Sequence, residues 1–503
     1  MSKQAITELK QIMNEVSLIG STAALLGWDE RVNMPRNGSA HRANQLAYMA
    51  GLYHEKITAP KVGELLEVAE DSAVTKDPLA ADAVIVRELR RAYDKKTKVP
   101  NKLVQAIAHA ETTGQSVWVN ARRDNDFKSF FPHLEKMIDL KRQYAEAVGY
   151  KDVAYDALLD DYEPGASAKS ITAVFTDFRK ELVELVGKIL NSPKKPDVSI
   201  VEREFSVDRQ RIFGETVAAA IGFPFSEGRL DVTAHPFCSG IGPGDCRITT
   251  RYNPNHLGQA LFGTMHEAGH ALYELGLPRE YFGTPMGEAV SLGIHESQSR
   301  MWENMVGRSK HFWKFFFPLA QQTFYEALGD VKFDDFYFAI NDVRASFIRV
   351  EADEVTYNLH ILLRFEIEQG IFDGSIKPKD LPAVWNEKFG KYFGITPKTD
   401  SQGCLQDIHW AAGLFGYFPT YALGNLYAAQ FFAKAKKDIP DLDEQFAAGK
   451  YAALLDWLRK NIHSQGQRYH AEDLVKEVTG KKLDHKPLMS YLDKKFKPLY
   501  GVK

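Results

Sequence analysis

Apolar residues return every three to four positions through most of this chain, and the pattern gives way to β-formers in only one stretch, around residues 230–252. That texture constrains the fold more than any single residue does, because sustained 3.6-residue periodicity demands helices that bury a stripe against one another. Leu9, Ile12, Met13, Val16 and Ile19 form one such stripe, and similar stretches run through 80–93, 102–118, 131–148 and 170–190. Ser39 is placed to cap a helix carrying Ala43, Leu46, Ala47, Ala50 and Tyr53. Trp28 and Trp118 suit helix junctions. Ser192-Pro193-Lys194-Lys195-Pro196 punctuates the series. A mainly α body is expected, one unit over 1–503 with an N-terminal lobe of about 1–195 and a second lobe of about 196–503.

The interruption has its own content. Residues 230–237 and 245–252 hold Val232, Thr233, Phe237, Ile248, Thr249, Thr250 and Tyr252, with a glycine-rich stretch at 239–244 between them. This predicts a small β-hairpin. A strand edge there could pair with the backbone of an extended peptide whatever its side chains.

Directly after it comes Met265-His266-Glu267-Ala268-Gly269-His270, in a run that predicts a helix from near Asn255 to Gly276-Leu277-Pro278. On a helix His266 and His270 are one turn apart on one face and can hold one metal ion. Glu267 is rotated by about 100° from His266, which puts it beside the metal, where a general base for water belongs. Average residue usage produces such a string by chance in about one chain of this length in a hundred, so its surroundings decide its meaning.

A catalytic zinc keeps three protein ligands and one open position. The longer pattern with a third histidine is absent, since no histidine occurs in Ala271 to Gly276. A second helix, expected over about 288–305, brings back His295 and Glu296. Helix neighbours diverge by about 100°, so one of the two faces the metal. Glu296 is the better third ligand. Its bland reading is a carboxylate paired with Arg300 at i+4.

Composition excludes several classes of function. The net charge of −3 and pI near 6.6 do not suit a general nucleic-acid binder. No apolar run reaches the length of a membrane span. The first residues, MSKQAITELKQIMNEV, lack the apolar core of a signal peptide, so a cytoplasmic protein is expected. Cys238, Cys246 and Cys404 form neither a disulfide framework nor a C-x-x-C pair and read as small packing residues.

Six ordered strings give the chain a family resemblance. They are His235-Pro236-Phe237, Asp245-Cys246-Arg247-Ile248-Thr249, the H-E-x-x-H itself, His295-Glu296-Ser297-Gln298, Ile348-Arg349-Val350-Glu351-Ala352-Asp353, and Gly403-Cys404-Leu405-Gln406-Asp407-Ile408-His409-Trp410. In order, these resemble the HPF, DxRxT, HExxH, HESQ, IRxxAD and GxxQDxHW motifs of the M32, or Taq carboxypeptidase, type of cytosolic metallocarboxypeptidase. No motif position departs, and the likeness covers essentially the whole chain.

The resemblance implies a mainly α, two-lobed fold with a deep substrate groove and a small sheet beside the motif helix, related to angiotensin-converting-enzyme-like and neurolysin-like peptidases. It implies a homodimer that takes single residues from peptide C-termini with broad specificity. It also implies one zinc ion per chain, held by His266, His270 and Glu296, with cobalt able to substitute. No nucleic-acid or membrane partner is expected.

Chemistry then suggests roles. Glu267 is the base for water and returns the proton to the leaving nitrogen. His409 and Tyr421 are candidate donors to the oxyanion, Tyr421 being favoured over Tyr417 by the resemblance. A planar guanidinium can grip a terminal carboxylate, which nominates Arg349, although Asp353 at i+4 could claim it instead. His235 and Arg247 either touch substrate or brace the site, and Asp407 could orient a histidine. The alternatives are another zinc endopeptidase or aminopeptidase using the same ligands, or a helical binding protein with a structural zinc.

Overall fold

The computed structural model describes residues 2–71 and 75–503. Four helices come first, Ser2–Val32, Ser39–Ile57, Pro60–Glu70 and Ala81–Lys98. They build a small core of their own from Leu9, Met13, Val16, Leu66, Val84 and Ile85, joined by Met286 from much later in the chain. Ser39 does not cap. It is the first helical residue, Gly38 holds the cap position, and no side-chain cap hydrogen bond forms.

From Leu103 onward the helices share a second, larger core. The two cores part between Lys98 and Leu103 rather than near residue 195. The proline-lysine loop marks no change of packing, because Ser192 Oγ donates to the carbonyl of Tyr500 at 2.6 Å and ties that loop to the C-terminal helix Lys486–Tyr500. Both tryptophans sit at junctions as their size suggests. Trp118 donates from Nε1 to the Leu405 carbonyl at 2.9 Å, and the Trp28 ring is covered by the guanidinium groups of Arg247 and Arg229.

The β segment is a three-stranded sheet, and the hairpin lies elsewhere than its side chains suggested. Strands β1 (Gly228–Val232), β2 (Cys238–Gly242) and β3 (Asp245–Thr250) lie in the order β1-β3-β2. β1 runs parallel to β3, while β2 pairs antiparallel with it through a turn at Pro243-Gly244, where Gly244 adopts φ +81°. The glycine-rich stretch read as a loop is therefore the hairpin's first strand. Ladder hydrogen bonds need only backbone, so an edge strand can be poor in β-forming side chains.

The motif helix, Leu257–Gly276, starts at His256, whose ring Nδ1 accepts from the Gln259 amide, and it buries Met265, Ala268, Ala271 and Leu272 completely. The ligand helix, Leu292–Arg300, is capped by Ser291 and runs on into a π-helical turn, Met301–Val306. A third helix, Pro419–Asp438, packs against it. Two glycines permit the close approaches to the ligand helix, Gly269 from the motif helix and Gly424 from the third helix. A Cβ at Gly269 would lie 2.7 Å from Ser299 Cα, and one at Gly424 would lie 2.6 Å from Glu296 Cγ. Among the described residues no helix is long and apolar enough to cross a membrane.

Candidate metal centre

His266, His270 and Glu296 offer ligand atoms that all lie within 4.8 Å of one another. Glu296 Oε2 faces both imidazoles, 3.6 Å from His266 Nε2 and 3.5 Å from His270 Nε2. Its other oxygen, Oε1, accepts from Arg300 Nε at 2.7 Å. The bland and the functional readings of Glu296 are thus both true, one for each oxygen.

The outer nitrogens of the histidines explain why their Nε2 atoms point inward. His266 Nδ1 lies 2.9 Å from Glu303 Oε2, and a carboxylate there keeps the proton on Nδ1 and the lone pair on Nε2. Glu303 sits in the π-helical turn, whose extra residue per turn re-aims side chains, and Arg300 Nη1 also donates to it. Burial opposes its charge, yet Arg300 and His266 bring Glu303 down to about 2. His270 Nδ1 meets His295 Nδ1 at 2.5 Å, and His295 Nε2 meets Glu274 Oε1 at 2.7 Å. His295 therefore backs His270 and does not face the metal position.

The electrostatics of these groups suit a cation among them. Burial, followed by the charges of Glu296 and Glu303, pushes the Glu267 carboxyl up to about 7. Burial lowers His270 to about 3, which leaves it neutral, as a ligand must be. His266 moves the other way, since Glu296 and Glu303 outweigh its burial. Behind the ligand helix, Glu163 is 2% exposed. It accepts from Ser291 Oγ, the Gly293 amide and Tyr427 OH, which fixes the start of the helix that carries Glu296.

A second cluster adjoins this one. Arg349 donates to Asp407 Oδ1 through Nε at 3.1 Å and Nη2 at 2.8 Å, and to Tyr357 OH through Nη1 at 3.1 Å. Fully buried Arg364 donates to Asp407 Oδ2 at 2.8 Å. The competing pairing of Arg349 with Asp353 does not form. Arg349–Glu351 is a short 3-10 turn, so the two residues never share a helical face. Asp353 instead accepts from the amides of Val355 and Thr356 and from Thr356 Oγ1. The Tyr357 ring joins the two clusters, with Arg300 Cζ 4.3 Å and Arg349 Cζ 5.9 Å from its centroid.

His409 and Tyr421 meet here, with His409 Nε2 3.4 Å from Tyr421 OH, and the rings of Tyr417 and Tyr421 are 5.3 Å apart. Asp407 grips the two arginines; its Oδ1 is 3.9 Å from His409 Nδ1, so it does not orient that histidine by a hydrogen bond. Arg247 makes a two-point ion pair with Asp245 and lies over Trp28 at 4.3 Å, a bracing position. His235 is exposed on the loop between β1 and β2. The Sγ atoms of Cys238 and Cys246 lie 3.5 Å apart without a disulfide, and Cys246 and Cys404 are buried.

Sequence reasoning missed Glu303, Glu274, Glu163 and Arg364. Glu274 follows His270 at i+4 and could have been found by asking what lies one turn beyond the second ligand. Glu303 had no such signal, because helical spacing fails through a π turn.

The model of the carboxypeptidase Taq (M32) metallopeptidase family matches residues 8–496. The chain is 48% identical to thermostable carboxypeptidase 1 of Thermus thermophilus, over 99% of each chain. It is 37% identical to carboxypeptidase 1 of Bacillus subtilis, over 98% of each. Its fold matches the crystal structure of an M32 carboxypeptidase from Deinococcus radiodurans with a TM-score of 0.96 at 37% identity, covering 99% of this chain and 100% of the other. With the family match and these relatives spanning nearly the whole chain, the chain belongs to the carboxypeptidase Taq (M32) family of metallopeptidases.

Proposed function

We propose that this protein shortens peptides one residue at a time from a free C-terminus, with broad side-chain tolerance and a single zinc ion per chain. Cobalt can replace zinc, the protein works as a homodimer, and its compartment is the cytoplasm. The family assignment and the names of its relatives support the exopeptidase class.

The donor set suits the metal. Two imidazole nitrogens and one carboxylate oxygen converge from two packed helices, a donor set that would suit a catalytic zinc ion. When bound, such an ion polarises the scissile carbonyl and makes water a nucleophile near neutral pH. Glu267, on the motif helix beside these residues, would take the proton from the attacking water and pass it to the leaving nitrogen. Tyr421 and His409 donate to the oxygen that gains charge as the carbonyl is attacked. His235 and Arg247 hold the surroundings, Arg247 through the sheet and Trp28.

The observation that carries the exopeptidase reading is the donor count at Arg349. A guanidinium has five N–H groups. Asp407 takes two of them and Tyr357 a third. One N–H remains on each terminal nitrogen, the pair that a carboxylate accepts two-fold. Two arginines against one aspartate also leave a positive surplus for that carboxylate.

One experiment tests this. A peptide with a free C-terminus and its amidated twin are incubated with the protein, with and without a chelator, and followed by mass spectrometry. Stepwise loss from the free form alone, stopped by chelation, is expected. Equal internal cleavage of both would overturn the carboxypeptidase assignment.

A further inference from the structure

The two metal-facing histidines are held by different devices. His266 leans directly on a carboxylate, Glu303. His270 leans on another imidazole, and only that ring reaches a carboxylate. We propose that His295 and Glu274 are positioning residues that fix the tautomer and bearing of His270, and thereby how tightly the centre holds its metal. The inference rests on the metal site argued above.

The reasoning follows the protons. The His270 Nδ1 and His295 Nδ1 atoms are 2.5 Å apart, so one of them carries a hydrogen and the other presents its lone pair. Glu274 Oε1, 2.7 Å from His295 Nε2, accepts but cannot donate when ionised. In this arrangement His295 donates its Nε2–H to the carboxylate and offers Nδ1 to His270. His270 then carries its own proton on Nδ1 and turns the lone pair of Nε2 toward the ligand position, on the side of Glu296 Oε2. One carboxylate thus sets the state of a ligand two rings away.

The fold holds this relay from both sides. Glu274 is one helical turn after His270 on the motif helix, while His295 comes from the ligand helix beside Glu296. The far oxygen of Glu274 lies against β2, where a Cβ added at Gly240 would come within 2.8 Å of Oε2. Gly240 touches no metal ligand and still sits against the end of the relay. It also lines, with Glu274, Tyr53 and Phe282, a cavity of about 240 Å³ between the N-terminal helices and the motif helix.

The test measures zinc affinity of the full-length apoprotein by competition with a chromophoric chelator, with the melting temperature of the apoprotein as a control for folding. His295→Ala is expected to weaken zinc binding 10- to 100-fold, the usual effect of losing an outer partner of a metal-binding histidine. Glu274→Ala weakens it several-fold, and Glu274→Gln, which keeps a carbonyl acceptor for His295 Nε2, restores most of the loss. The double variant His295→Ala/Glu274→Ala binds no worse than His295→Ala alone, because Glu274 acts only through His295. Gly240→Ala lowers affinity by pressing on Glu274, and has no effect in the His295→Ala background. Should His295→Ala fail to fold, the Glu274 pair and Gly240→Ala decide the matter. Affinities of these variants within twofold of wild type, or losses that multiply in the double variant, overturn the relay. A wild type that takes up neither zinc nor cobalt overturns the metal reading and this one with it.

Discussion

On one side of the Tyr357 ring, Arg300 faces Glu296 and Glu303, with Glu267 close by; on the other, Arg349 and Arg364 share Asp407. Both clusters are buried and built from the same chemistry, but their surpluses have opposite sign. Three carboxylates meet two guanidiniums in the first, Arg300 and, 3.7 Å from Glu303, Arg308, and two guanidiniums meet one carboxylate in the second. An uncompensated buried charge is costly, so a cation suits the first cluster and an anion the second. Their adjacency makes the pair specific: a hydrolytic metal within reach of a site that reads a terminal carboxylate describes an exopeptidase, whereas either cluster alone would not.

The sharpest way to break this contrast is to remove charge from the first cluster without removing a ligand. Glu267→Gln should lower turnover by about 10²–10⁴-fold while metal content by elemental analysis stays at one ion per chain. Loss of the metal together with activity would mean that Glu267 is a ligand. Arg349→Ala addresses the second cluster. It should cost about 2–5 kcal/mol in kcat/KM toward free C-termini, and Asp407 keeps Arg364, so the melting temperature should hardly change. A variant that still prefers free over amidated peptides as strongly as wild type would take the carboxylate reading away from Arg349. Next in size is the response to metal. Zinc at about a hundred times its dissociation constant should stabilise the apoprotein by roughly 2.7 kcal/mol, seen as a rise in melting temperature that disappears in His270→Ala. A rise of the same size in that variant would place the bound zinc elsewhere.

The two clusters were not equally legible in the sequence. The metal side was, because H-E-x-x-H turns a helical period into a face and a third ligand was missing until Glu296 supplied it. Its outer partners were less so. Glu303 lies within a π turn that breaks the helical count, and His295 read as a rival to Glu296, whereas its Nδ1 meets His270 Nδ1 instead. The arginine side was harder, since Arg349, Arg364 and Asp407 come from separate elements and no spacing predicts their meeting. Asp353, the near neighbour in sequence, was the wrong partner because the chain turns as a 3-10 coil there. In the fold, helical periodicity placed the helices read at 131–148 and 170–190 close to the observed Phe127–Val148 and Ala168–Leu190, and stopped short of the ends of Ala81–Lys98 and Asn101–Asp124. It could not place the split between the two cores after Lys98, which depends on which stripes face each other, nor the pairing of the glycine-rich β2, whose strand is defined by its backbone.

The smallest effect concerns what holds the acidic cluster in place. Glu163 stands at the start of the ligand helix, where a helix N-terminus and three donors favour its anion. Burial outweighs them and lifts its carboxyl from its ordinary value of 4.5 to about 7. The folded chain therefore keeps this proton between about pH 4.5 and 7, while the unfolded chain releases it. A group raised in this way supports the fold fully at low pH and withdraws that support as pH rises through about 7. Glu163→Gln imitates the protonated form at every pH, its amide oxygen accepting from Gly293 and its NH₂ donating to the hydroxyls of Ser291 and Tyr427. Melting curves of the apoprotein across this range should thus fall less steeply for the variant, by on the order of 1 kcal/mol, and above neutral pH the variant should be the more stable of the two. Equal slopes would show that Glu163 is ionised in the folded protein. The ligand helix would then start on a further buried negative charge, and the contrast between the two clusters would be larger than the three carboxylates alone make it.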